Sequence, residues 1–364
     1  ADAIVILGSH LRHEVPLLHA RVRKAVTGGA KVHVVNPVDF DFAFGIASKQ
    51  IVLPSQLASA LAEVDLGDAA HVALIVGGVA ENGPHAAAIR ASAEAFAAKT
   101  GAKLCRIPQG ANALGLSRNG VLPRSRDAQS MLREPRSAYV IFGIEPGLDF
   151  ADQRTTLKAL GDAQVVAFSQ FACKSTRAVA DVILPIAALP EIEATLTNLD
   201  GVDQRTSAAG KPPGEARPGW RVLRALADAL ALPGFEFTDI AGLRAGMAVK
   251  DVHASKGQAL TTRGSGLEVV TTHAIYRVDG VTRRAQALQA HPLNVGPRAV
   301  MHPADAGIAG INDGVMAKFA TDVGNATLQV VLDPGVAQGS VWIECGHGAT
   351  APLAASAKAE VSRA

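Results

Sequence analysis

Along the first two thirds of the chain, short β-branched runs alternate with segments whose apolar residues recur at helical spacing, which predicts parallel α/β structure. Residues 4–7 predict a strand. Pro16 suits the first turn of the next helix, where a missing N–H costs nothing, and Leu17, Leu18, Val22, Ala25 and Val26 predict its buried face. Gly28-Gly29 ends that helix, and a strand over 32–35, closed by Asn36-Pro37, completes a βαβ unit. A second unit begins with a strand over 72–76. Pro84 opens its helix, Ile89, Ala93, Phe96 and Ala97 predict the buried face, and Gly101 stops it before a strand over 104–107. A third unit runs from 139–142 through a helix near 152–160 to 165–168, followed by a short strand over 182–184. Val222, Leu223, Leu226, Ala227 and Leu230 line one more helix between Pro218 and Pro233.

From about 233 to 266 the period is lost, which predicts a linker. Beyond it the pattern changes to hairpins. Asp279-Gly280 separates apolar runs at 275–278 and 281–282, the two-residue turn signal, and Asp313-Gly314 and Gly324-Asn325 repeat it. Strands near 315–319, 327–332 and 341–344 predict an all-β closing domain, a barrel rather than a sandwich. The Ala-rich tail after Thr350 reads as loosely held. The expected division is therefore 1–70 as part of a first α/β lobe, 71–250 as a second α/β lobe, and 265–364 as a C-terminal β-barrel.

A length of 364 residues agrees with two or three domains at roughly 150 residues each. With 48% apolar and 19% charged residues, wholesale disorder is excluded, and 4% aromatics require a core of Ala, Val, Leu and Ile. A net charge of +2 is too small for a general nucleic-acid footprint, so no nucleic-acid partner is expected. No run approaches the roughly 18–20 apolar residues of a membrane helix, so no direct membrane insertion is expected. The chain opens Ala1-Asp2-Ala3-Ile4 without Met or a signal-like stretch, which reads as the interior of a longer polypeptide. Cys105, Cys173 and Cys345 are too few and too scattered for a disulfide framework or an iron–sulfur cluster, and read as small apolar fillers in a reducing compartment.

Three strand-to-helix turns could cradle a phosphate: Gly8-Ser9-His10, Gly77-Gly78-Val79 and Gly143-Ile144-Glu145-Pro146-Gly147. None spells G-x-G-x-x-G, and although Asp39 and Asp41 could mimic a ribose-binding acid, all are read as ordinary turns. Cys173-Lys174-Ser175-Thr176 lacks the upstream glycines of a phosphate loop, with Phe168 where the first should stand. His10, His13, Glu14 and His19 are the densest group of candidate metal ligands. Six residues separate His13 from His19 instead of the four of H-E-x-x-H, and Pro16 intervenes, so hydrogen bonding or charge pairing within the turn is the expected role. Gly115-Leu116-Ser117-Arg118-Asn119-Gly120 misses a nucleophile elbow by one residue, and Glu191 and Glu193 read as solvated charges. No self-sufficient reaction centre emerges.

Several stretches in order resemble the molybdopterin-oxidoreductase superfamily, in particular its complex I branch, the large iron–sulfur subunits of NADH-quinone oxidoreductase. They are Gly8-Ser9-His10-Leu11-Arg12-His13-Glu14-Val15-Pro16 with Ala20-Arg21-Val22-Arg23-Lys24, then Gly110-Ala111-Asn112-Ala113-Leu114-Gly115 and Gly120-Val121-Leu122-Pro123. Ala180-Asp181-Val182-Ile183-Leu184-Pro185 leads through Glu193 to Asn198-Leu199-Asp200-Gly201. Pro213-Gly214-Glu215-Ala216-Arg217, before Trp220, and Ile275-Tyr276-Arg277-Val278-Asp279-Gly280 complete the set. The resemblance implies Rossmann-like lobes with a closing barrel, and a C-terminal portion whose [2Fe-2S] and [4Fe-4S] clusters are bound upstream of residue 1. It carries no catalytic, cofactor-binding or metal residue onto this chain, since the family's cluster-binding domains lie upstream and its NADH and flavin sites on other subunits; complex I members are also understood to have lost the molybdenum cofactor. Implied partners are other subunits of the complex I peripheral arm, on the cytoplasmic side of the bacterial inner membrane, and the implied role is structural within NADH:quinone electron transfer. The alternative is a catalytic molybdopterin oxidoreductase subunit such as formate dehydrogenase, with a pterin guanine dinucleotide near Gly77-Gly78 and the loop His302-Pro303-Ala304-Asp305.

Overall fold

The run Ala3–Leu7 (β1) is buried at every position, as a central parallel strand covered on both faces requires. It is flanked by Lys31–Asn36 (β2) and Val72–Val76 (β4), with Ser48–Ile51 (β3) and Lys103–Arg106 (β5) at the edges, in the order β3-β2-β1-β4-β5. Every pairing is parallel. Alternate side chains serve opposite faces: Ile4 and Ile6 pack with Val22 on one side, Val5 and Leu7 with Leu57, Leu61 and Ile89 on the other. The computed structural model describes residues 1–123, 125–247 and 265–364. Its contacts divide the chain into two units, Ala1–Pro108 with Ser255–Val278 and Ala285–Ala364, and Gln109–Ala254 with Asp279–Arg284. Because β4 pairs directly with β1, the expected division at 70/71 falls inside one sheet.

The helix Pro16–Thr27 starts on its proline as expected, but Leu17 is 83% exposed and His19 takes its place beside Val22 on the buried face. Leu17 lies two residues from His19, about 200° around the axis. The second helix is broken: Gly78–Asn82 is followed by Ala86–Thr100, so Pro84 sits in the junction and not at N1.

In the second unit Ala138–Phe142 (β6), Gln164–Ser169 (β7) and Val182–Pro185 (β8) form a three-stranded parallel sheet in that order, with the helix Gln153–Gly161 between β6 and β7. Ala194–Thr197 (β9) and Asp203–Thr206 (β10) form an antiparallel pair. Gly219–Ala229 is the helix expected after Pro218. The linker expected over 233–266 contains a helix, Ile240–Ala245, whose N–H at Gly242 is capped by Asp239; its positions 248–264 lie outside the described residues.

Within the first unit, Leu267–His273 (β11), Arg298–Met301 (β12), Met316–Ala320 (β13), Asn325–Leu332 (β14), Ser340–Cys345 (β15) and Lys358–Arg363 (β16) close into a barrel, β11-β15-β12-β14-β13-β16. Phe319, Met301, Leu328 and Ile343 fill it. Two pairings are parallel, β11 with β15 and β12 with β14, so the barrel is not a plain succession of hairpins. Only one expected hairpin forms among the described residues, between β13 and β14 around Thr321–Gly324. Gly314 instead leads into β13. Asp279-Gly280 is not a hairpin either: the Asp279 carboxylate accepts the Thr282 N–H at 2.7 Å, and this side-chain-capped turn replaces strand pairing. The tail expected to be loose is β16, which pairs with both β11 and β13. A barrel needs its last strand, because an open edge leaves N–H and C=O groups unpaired. No described helix is long and apolar enough to cross a membrane.

Candidate functional site

In an open parallel sheet, ligands bind beyond the carboxyl ends of the strands where the strand order reverses. Here the reversal lies between β1 and β4. The turns that follow these strands are Gly8-Ser9-His10 and Gly77-Gly78, and they pack on each other. Gly8 has φ +56°, and a Cβ on it would meet Ala80 Cβ at 2.6 Å and the Ala80 nitrogen at 2.7 Å; a Cβ on Gly77 would meet Ser9 Cβ at 2.1 Å. Asn36, fully buried at the end of β2, pins the first turn from both sides. Its Oδ1 accepts the Ser9 N–H at 2.8 Å, and its Nδ2 donates to the Ser9 carbonyl at 3.0 Å. In the sequence Asn36 reads only as a strand terminator.

The Glu14 carboxylate bridges the two turns. Its Oε1 accepts the His10 N–H at 2.7 Å and the Ser9 hydroxyl at 3.1 Å, and its Oε2 accepts the Gly78 N–H at 2.7 Å. Burial lifts its pKa above the ordinary carboxylate range, while the donors at Gly78, His10 and Ser9 pull it back. The imidazole of His10 stacks between His13, centroid to centroid 3.7 Å, and Phe40, 4.2 Å. Burial, then the nearby His13 and Arg12, push the His10 pKa down to about 3; burial and Arg12 lower that of His13. His19 Nε2 stands 2.5 Å from the Phe42 carbonyl. Glu14, His10 and His13 are thus engaged within the turn and its stack, whereas His19 turns away to the Phe42 carbonyl and the Phe44 ring, and among the described residues no three His, Cys, Asp or Glu side chains are grouped to hold a metal.

The buried imidazole makes stability depend on pH. Folded His10 stays neutral, whereas unfolded His10 takes up a proton near 6.5, so its contribution is complete above that pH and is lost as pH falls toward 3. His10→Gln is expected to flatten the dependence of unfolding free energy on pH near pH 5 by about 1.4 kcal/mol per pH unit, one proton's worth. Urea denaturation at a series of pH values measures it.

The remaining candidates are occupied locally. Asp39 pairs with Lys49 at 2.5 Å, and Asp41 accepts the Ala43 N–H and pairs with Arg12, both at 2.8 Å, which holds its carboxyl below the usual range. Cys173 precedes the helix Lys174–Val179, and burial raises its thiol pKa less than hydrogen bonds with Ser175 and Thr176 lower it. None of the three cysteines forms a disulfide, and burial pushes the Cys345 thiol up to about 12. Ser117 lies inside the helix Ala113–Arg118, not on a strand-to-helix elbow. Glu191 accepts the Ala188 N–H, and Glu193 pairs with Arg244 at 2.5 Å, so neither is merely solvated. The stretch expected as a barrel loop opens the helix Pro303–Ala309, where His302 accepts the Ala304 N–H as the N-cap, and Asp305 accepts the Gly339 N–H at 2.7 Å.

The turn Gly143-Ile144-Glu145-Pro146-Gly147 of the second unit carries a cluster invisible in the sequence. Arg283 donates to Glu145 at 2.7 Å and pairs with Asp149; Arg284 pairs with Glu145 at 2.6 Å and lies 4.1 Å over the Phe171 ring. Burial opposes the Arg283 charge, but Asp149 and Glu145 outweigh it and raise its pKa. Gly147 N–H donates to Ser175 Oγ at 3.1 Å, so this turn too spends its donors on its own chain. Motif stretches of the chain also meet within this unit: Asn112 accepts the Thr197 N–H at 2.8 Å, and Arg118 donates to the Gly201 carbonyl at 2.6 Å.

A family model described as "Molybdopterin oxidoreductase" matches residues 1–229, and one described as "Molydopterin dinucleotide binding domain" matches 267–362. The chain is 31% identical over 235 residues to the mitochondrial NADH-ubiquinone oxidoreductase 78 kDa subunit of Candida albicans, covering 63% of this chain and 31% of that protein. It is 28% identical over 256 residues to the 78 kDa subunit of Neurospora crassa, covering 67% and 32%. With the NADH-ubiquinone oxidoreductase 75 kDa subunit of Reclinomonas americana it shares 45% identity over 64 residues, 17% of this chain and 9% of that one. The chain thus spans about a third of the length of the 78 kDa relatives it matches. Among solved structures, acetylene hydratase from Pelobacter acetylenicus has a TM-score of 0.63 at 13% identity, covering 100% of this chain and 78% of that one, a likeness of fold alone.

Proposed function

Because the chain belongs to the molybdopterin oxidoreductase family, and because its curated relatives are complex I 75 and 78 kDa subunits, we propose that it is the structural C-terminal portion of a complex I large subunit. In this reading it supports the NADH:quinone electron-transfer arm without a redox centre of its own. Clusters of the [2Fe-2S] and [4Fe-4S] types belong to sequence upstream of residue 1, and its partners are the other peripheral-arm subunits on the cytoplasmic face of a bacterial inner membrane. The observation that carries the reading is the sequence likeness to those subunits through most of the chain.

The competing reading is a catalytic subunit, formate dehydrogenase-like, that holds a pterin guanine dinucleotide. The crevice of the first unit does not fit that group. The backbone N–H groups of His10 and Gly78, which would face a pyrophosphate, already donate to Glu14.

Tagging the gene product at its own locus and isolating it from solubilised membranes tests the assignment. It is expected to arrive with an NADH-oxidising assembly rich in iron and free of stoichiometric molybdenum; isolation as a separate molybdenum protein overturns the reading. Reconstitution of the chain itself with ferrous iron and sulfide is expected to leave it without an EPR-active cluster, and one cluster per chain would refute the scaffold role.

A further inference from the structure

The geometry points to Glu14 as a built-in occupant of the crevice between β1 and β4, its carboxylate standing where the phosphate of a dinucleotide would bind and keeping that phosphate out. The inference deepens the proposed function and rests on it in taking the crevice to work without a dinucleotide.

A phosphate at a parallel-sheet crevice is held by backbone N–H groups from the turns after the strands and needs glycines there so that it can approach. Both requirements are met here and both are used by one side chain. His10 N–H and Gly78 N–H, from the two separate turns, point at the two oxygens of the same carboxylate, and the Ser9 hydroxyl adds a third donor. The space that glycine leaves is filled as well, since a Cβ on Gly78 would lie 3.3 Å from Glu14 Oε2. The turn cannot widen to admit a second anion, because Asn36 holds Ser9 by both its N–H and its carbonyl. A phosphate beside the carboxylate would face like charge in a part-buried site, and the neighbouring cation, Arg12, is paired with Asp41.

A clasp with only a structural role would also join the two turns. What separates the two ideas is whether removal of the carboxylate uncovers an anion site. The chain is labelled with 15N-glycine and 15N-histidine, and the amide resonances of Gly78 and His10 are followed as inorganic pyrophosphate is added. The wild-type resonances are expected to stay in place through the millimolar range, and those of Glu14→Ala to move together and saturate. Wild-type resonances that move as the variant's do, or a folded Glu14→Ala that gives no response, overturn the inference. Should Glu14→Ala fail to fold, the wild-type chain decides: once pH is lowered through the titration of the Glu14 carboxyl, followed by its 13C resonance, added pyrophosphate is expected to move both amides, and no response below that titration overturns the inference. These resonances report on the crevice alone, so a negative result here leaves the co-purification test standing, and failure of co-purification leaves this one readable.

Discussion

Gly8→Ala is expected to destabilise the first unit by about 2–5 kcal/mol, seen as a lowered urea midpoint with an unchanged slope. Two terms add. Gly8 has φ +56°, where a Cβ costs about 1 kcal/mol or somewhat more. The added carbon would also lie 2.6 Å from Ala80 Cβ and 2.7 Å from the Ala80 nitrogen, so backbone must shift, at about 1–3 kcal/mol. Gly101→Ala separates the terms: its φ is +69°, in the same left-handed region, and nothing lies within 4 Å of the added carbon, so only the conformational cost of about 1 kcal/mol is expected. Equal losses in the two variants would show that the packing of the two turns contributes nothing. Movement of the β1 and β4 turns apart in Gly8→Ala would also loosen the donors around Glu14.

Arg283→Ala is expected to cost the second unit about 3–5 kcal/mol, because truncating one member of a buried ion cluster leaves Asp149 without its counter-charge and Glu145 with Arg284 alone. The Arg283 side chain is 5% exposed and the Glu145 side chain 7%, so water reaches the remaining carboxylates poorly. Amide hydrogen exchange in β6 and β7 reads the loss within that unit. Arg283→Ala combined with Asp149→Asn is expected to recover part of it, since neutralising Asp149 abolishes the uncompensated charge without restoring the stem. No recovery in the double variant would mean that the cost of Arg283→Ala is lost packing of its aliphatic stem.

Much of the fold was legible. Runs such as 72–76 and 165–168 are continuously apolar, as strands covered on both faces must be, and the helix Ala86–Thr100 shows its buried Ile89, Ala93 and Phe96 at helical spacing. Two barrel strands alternate cleanly, Met316–Ala320 and Asn325–Leu332. Misreadings came where a side chain overrode a local rule. Asp279-Gly280 carries a hairpin dipeptide, yet the Asp279 carboxylate caps Thr282. Leu17 is apolar but points to solvent, while His19 finds the Phe42 carbonyl and is buried. The tail from 358 onward has no marked periodicity, and becomes a strand because the barrel has an edge to close.

The candidate site was legible only as a set of residue types. Glu14 stands in a stretch of histidines and invites a metal reading, and Glu145 lies in a turn with two glycines that invites a phosphate reading. Neither reading could include the partner that decides the matter, Gly78 in one case and Arg283 in the other, which lie 64 and 138 residues away along the chain.

What the sequence determined by itself is the class of structure: parallel α/β units, a closing barrel, and the ordered motifs of the family. The first two follow from periodicity and turn chemistry, which act over a few residues, and the last from resemblance. The tertiary structure alone decided which hydrogen-bond donors at the crevice are taken, and by whom. A backbone N–H is the same group in every sequence, and whether it faces a ligand or a carboxylate of its own chain depends on distant segments being brought within about 3 Å of each other.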